Sequence, residues 1–155
     1  MRSTTADPMV ATIEAAVVTI VREATLPRTQ ERVTEAAGVP IEPSGYVVLR
    51  TLDERGPLPV TLLARTLGLD ASTVSRQVAG LVRDGVLVRS EDAGDRRVSL
   101  VALSEMGRES LQRIREARYA VFATVLDSWS EEDRAALAPL LDRLASDLVA
   151  VGGRP

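Results

Sequence analysis

The chain has 155 residues, 45% of them hydrophobic but only 3% aromatic, and a formal net charge of −3. It contains no cysteine and no histidine, which excludes disulfides, thiol redox sensing, iron–sulfur clusters, Cys- or His-ligated zinc and His-assisted nucleophiles. All 19 basic residues are arginine, so Schiff-base chemistry and a phosphate-loop lysine are excluded as well.

Asp7-Pro8 reads as an N-cap followed by proline at the first helical position. Val10, Ile13, Val17, Ile20, Val21 and Ala24 then recur at helical spacing. Pro27 interrupts this helix, and a second stretch over 29–37 stops at Gly38. Pro43-Ser44 opens another helix, predicted to bury Val47, Val48, Leu49 and Leu52 and to end at Gly56-Pro57.

Two short helices follow. Val60, Leu63, Ala64 and Leu67 share one face, Gly68 supplies a left-handed turn, and Asp70 is placed to cap the next helix. Val74, Val78, Leu81 and Val82 form the buried face of that second helix. The small Ala64 allows the steep, close crossing of a helix-turn-helix. After Gly85 the period changes: 86–89 reads as a strand, 91–97 as a polar turn containing Gly94, and 98–103 as a returning strand. A helix-turn-helix followed directly by a hairpin is a winged helix, here over residues 57–103.

Ser104 caps a long helix with apolar Leu111, Ile114, Val121, Phe122, Val125 and Leu126. Ser130 to Asp133 reads as a capping box, with Asp133 in place of Glu or Gln. The last helix carries Leu137, Leu140, Leu141, Leu144 and Leu148, and Pro139 inside it predicts a kink.

The outer face of the second short helix carries Ser72, Thr73, Ser75, Arg76 and Gln77. These hydroxyls, the guanidinium and the amide are the groups that reach base edges and phosphates in the major groove of double-stranded DNA. Arg76 has the fork for guanine, and Gln77 the amide for adenine. A merely solvated polar face is the alternative, but this one avoids Glu and Ala, the usual fillers. The hairpin tip holds Asp95, Arg96 and Arg97, where an arginine can enter a minor groove and Asp95 can brace it. From 65 to 97, six arginines face five acidic residues, a local net of +1. Charge therefore neither requires nor forbids DNA binding.

The fold class is mainly α with a small β-wing. Residues 43–103 form the winged helix-turn-helix DNA-binding domain, and 1–42 with 104–155 a helical dimerisation region from both termini. The apolar stripes of the terminal helices are too wide for one small lobe to bury, which favours a homodimer over packing within one subunit. No apolar run approaches the roughly 20 residues of a membrane span, and the N-terminus lacks a signal-peptide core. The expectation is a cytoplasmic protein with no membrane partner.

The segment LARTLGLDASTVSRQVAGLVRDGVLVRSEDAGDRRVSLVALSEMGRE resembles the MarR family of transcriptional regulators. The matching parts are Leu63-Ala64, Thr73 to Arg76, Leu81 to Arg89, the Asp95-Arg96-Arg97 wing, and Leu103-Ser104 with Gly107-Arg108. Tyr46 to Arg50 also fits. The resemblance covers about two-thirds of the chain. It implies a winged-helix homodimer with interlocking terminal helices, bound to a pseudo-palindrome with half-sites about one helical turn apart. It also implies Asp95 as the wing aspartate, Arg97 as the minor-groove arginine and Arg96 on the backbone. Small phenolic or otherwise anionic effectors would relieve repression by changing the spacing of the recognition helices. Their pocket would lie near Tyr46, between the dimer region and the winged helix. Pro27, Pro59 and Pro139 depart from the family pattern, Pro59 standing where a Ser or Thr cap is usual. The absence of cysteine excludes the peroxide-sensing branch, and the absence of histidine argues against the zinc-sensing one. No cofactor, metal or catalytic residue is expected, because no base, metal ligand or glycine loop converges on Glu131/Glu132 or Asp142/Asp147. A winged helix used only for protein contact is the competing reading, and the polar face at 72–77 argues against it.

Overall fold

The computed structural model describes residues 7–39, 41–91, 94 and 98–152. In chain order the elements are α1 (Pro8–Thr25), α2 (Pro27–Ala37), α3 (Pro43–Arg55), β1 (Leu58–Pro59), α4 (Val60–Leu67) and α5 (Ala71–Arg83). There follow β2 (Leu87–Glu91), β3 (Ser99–Leu103), α6 (Glu105–Leu126) and α7 (Glu131–Gly152). The architecture is mainly helical with a small antiparallel sheet, as a winged helix requires. Two compact units divide the chain, Met1–Arg118 and Tyr119–Pro155, with α6 contributing to both.

In the first unit the core is aliphatic, as the shortage of aromatic residues dictates. Val48 and Leu49 of α3, Leu63 of α4, Val74 and Val78 of α5, Leu87 of β2, Val101 of β3 and Leu111 of α6 are all fully buried. The sheet order is β1-β3-β2, both pairs antiparallel. Leu87 faces Leu103 and Glu91 faces Ser99, while Leu58 and Pro59 face Val101 and Leu100. The period of two puts Val101 and Leu103 on the core side of β3.

Several local expectations need correction. Strand β1 was not foreseen, because two residues, one of them proline, carry no alternation. Pro59 is tolerated there because β1 is an edge strand, and it doubles as the N-cap of α4 in extended conformation, with no side-chain bond. Val47 is 47% exposed rather than buried; the inward stripe of α3 is Gly45, Val48, Leu49 and Leu52. Leu81 and Val82 are half-buried, not core.

The break between α1 and α2 is closely braced. Pro27 has no N–H to continue the helix, and Leu26 is extended. The Gln30 amide donates to the Ala24 carbonyl across the break, and Arg28 pairs with Glu23 at 2.9 Å. The hydrogen bond from Arg28 holds the Glu23 carboxyl below the usual glutamate range.

In the second unit, Ser130 caps α7 by accepting the Asp133 N–H at 3.0 Å. Asp133 is one methylene shorter than glutamate, and its carboxylate accepts the Ser130 hydroxyl at 2.6 Å instead of reaching back to backbone. Helix α7 runs continuously through Pro139. Neither α1 nor α7 buries a single residue within the chain. Among the described residues no helix is long and apolar enough to cross a membrane.

Candidate nucleic-acid interface

Two left-handed glycine turns bracket α5 and fix its course. At its start, Gly68 (φ 64°) closes α4: its N–H donates to Arg65 and that of Leu69 to Ala64. This double closure is a Schellman motif, and it swings the chain sharply into α5. At its end, Gly85 (φ 76°) repeats the device, with Gly85 donating to Val82 and Val86 to Leu81. The chain then enters β2 with Val86 and Leu87 buried. Helix α5 is thus seated by Val74 and Val78 from below and by a hydrogen-bonded turn at each end. Asp70 occupies the N-cap position in extended conformation but makes no side-chain cap bond. The predicted cap is positional only.

Of the predicted reading residues, Ser72, Ser75 and Arg76 are exposed on α5, and Thr73 and Gln77 are half-buried. Arg76 makes no ion pair among the described residues, whereas Arg50, Arg83 and Arg115 are each paired with a carboxylate. A free guanidinium at the exposed N-terminal half of a helix is available to an external acceptor. Gln77 differs from expectation. Its amide oxygen is fully buried and has no hydrogen-bond partner among the described residues. A bidentate pair with adenine needs oxygen and nitrogen together, so this side chain must rotate outward to make one. Asp95, Arg96 and Arg97 lie outside the described residues. The strands that lead to them, β2 and β3, are in register and project Arg89 and Glu91 to solvent.

The Arg118 guanidinium lies 4.8 Å from the Tyr46 ring centroid. An open cavity of about 880 Å³ lies along α2 and the turn to α3. Pro27, Val39 and Ile41 supply its apolar wall, and Glu31, Glu35 and Glu42 its charge.

A MarR family model matches residues 41–99, the span from α3 through the start of β3. The transcriptional regulator YxaD of Bacillus subtilis is 36% identical over 104 residues, covering 67% of this chain and 73% of its own length. The chain belongs to the MarR family. It is a DNA-binding transcriptional regulator of the helix-turn-helix type, and not an enzyme. A MarR family protein from Bacillus stearothermophilus has a structure superposing with a TM-score of 0.77 at 26% identity, over 93% of this chain and 99% of that one. Streptococcus pneumoniae FabT, solved in complex with DNA, shares the fold with a TM-score of 0.72 at 19% identity, over 91% and 98% of the two chains. The MarR winged helix is therefore the frame in which α5 and the wing are read.

Proposed function

We propose that this MarR-family protein is a homodimeric repressor that reads a pseudo-palindromic operator. Helix α5 lies in the major groove with Ser72, Thr73, Ser75, Arg76 and Gln77 toward base edges and phosphates, and Asp95, Arg96 and Arg97 of the wing reach the minor groove. The observation that carries this reading is the exposed Arg76, without an ion pair among the described residues, on a helix clamped at both ends. A rigid helix places a guanidinium with the accuracy that bidentate guanine recognition needs. FabT, of the same fold, was crystallised in complex with DNA, which supports DNA as the partner. Repression follows from occupancy alone, since blocking polymerase needs only tight binding.

The dimer rests on α1 and α7. Val10, Ile13, Ile20 and Val21 of α1, and Leu140, Leu148 and Val149 of α7, are each more than half exposed. Apolar stripes of that length in a single chain call for a partner surface, and a second copy brings the same stripes by symmetry. Such a dimer belongs in the cytoplasm with its DNA. A small-molecule effector would release it, and the carboxylates around the cavity at α2 favour a neutral phenol over an anion there.

The test is a footprint of the purified protein on the intergenic DNA beside its own gene, with sedimentation analysis of the free protein. A protected region with two symmetric halves and a two-chain mass is the expected result. Protection of a single half-site by a monomer would overturn the dimeric reading, and wild-type affinity in Arg76→Ala would overturn the assigned contact.

A further inference from the structure

We propose that Ser104 and Gly107 are positioning residues for DNA reading. They clamp the N-terminus of α6 onto Gly85 and Val86, two of the three residues joining α5 to β2, so that α6 sets the direction of α5. The inference rests on α5 being the reading helix.

The clamp is built from backbone. The Ser104 hydroxyl lies 2.6 Å from the Gly85 carbonyl and 3.0 Å from that of Val86, and its oxygen accepts the Gly107 N–H at 2.9 Å. The Ser104 N–H donates to the Val86 carbonyl at 3.1 Å. One residue therefore caps α6 and satisfies the turn that closes α5. Gly107 is what permits the approach: a Cβ there would stand 2.1 Å from the Val86 carbonyl oxygen. That oxygen is itself held in place, because it accepts the Ser104 N–H and lies within hydrogen-bond distance of the Ser104 hydroxyl. Met106 covers the other side, 3.6 Å from where a Cβ on Gly85 would be. Apolar contacts under Val74 and Val78 hold α5 down but are not directional. The hydrogen bonds at its C-terminus are directional, and they fix where Ser72 to Gln77 stand.

The chain has no cysteine, so nitroxide labels can be placed cleanly at Ala79→Cys on α5 and Arg113→Cys on α6, both exposed. Labelled chain diluted into excess unlabelled chain gives the α5–α6 distance distribution within one subunit. The DNA probe is the tightest duplex that wild-type protein selects from a random library, with a scrambled duplex as control. Ser104→Ala is expected to broaden the distribution and to lower affinity for the selected duplex by roughly tenfold, the scale of one lost cap and one unsatisfied carbonyl. Binding to the scrambled duplex should not change. Ser104→Thr should restore both, while Ser130→Ala, which removes a matching cap from α7, should lower Tm alone. Gly107→Ala should displace the distribution outright. An unchanged distribution in Ser104→Ala or Gly107→Ala overturns the clamp. A broadened distribution with unchanged discrimination overturns α5 as the reader, and the positioning role with it.

Discussion

The winged helix and the terminal helices are built from the same aliphatic residues, yet they end in opposite states. Helices α4 and α5, 8 and 13 residues long, bury Leu63, Ala64, Val74 and Val78 within the chain. Helices α1 and α7, 18 and 22 residues long, have no fully buried residue. Length and apolar content are thus poor guides to whether a helix is finished by its own chain. A reading head has to be complete in each copy so that it can dock as a rigid body. On the proposed dimeric reading, a helix whose partner is another copy stays uncovered until that copy arrives.

Four measurements test this contrast. The largest effect is expected from Leu63→Ala, a fully buried site in the reading head. It should destabilise the fold by about 2–5 kcal/mol in denaturant unfolding, whereas Leu140→Ala on α7 should cost far less at concentrations where the chain is monomeric. Next, Leu140→Glu with Leu148→Glu should abolish dimerisation in sedimentation experiments while leaving helix content intact. If the doubly charged protein still sediments as two chains, α7 is not the interface. Third, Arg76→Ala should lose about 1–3 kcal/mol of discrimination at one base pair without changing Tm. Arg97→Ala should instead lower the salt slope of binding by about 1 across sequences. The smallest effect concerns the α1–α2 elbow. Glu23 titrates below its ordinary range because Arg28 bonds its charged form. Its contribution is present above the unfolded pKa and is lost as pH falls through the folded one. Tm of wild type should exceed that of Glu23→Gln slightly near neutrality, and the two should converge below the usual glutamate range.

The reading head was the legible part of the sequence. Gly68 and Gly85 announce their turns because a left-handed residue has few candidates, and Val74 with Val78 announces the inward face of α5. Features that depend on a neighbour were not legible. Val47 looked as apolar as Val48, and only packing decides which of them turns inward. Asp70 sits at a cap position, but whether its side chain closes the bond depends on a rotamer. Gln77 has a suitable amide, yet its oxygen is buried beneath the helix surface. Gly107 stands out in the sequence only through the family resemblance, because its close approach is to Val86, twenty-one positions away.

The two-residue strand β1 has a consequence for how the protein survives in a crowded solution. A wing that must project to reach DNA also offers sheet edges to other chains, and exposed edges seed aggregation. Here one edge is only Leu58 and Pro59, too short and too poor in N–H groups to template another strand. The other edge, β2, carries the exposed charged side chains Arg89 and Glu91, which keep it hydrated. The proline that departs from the family's usual cap thus works as a stopper on the β1 edge of the sheet.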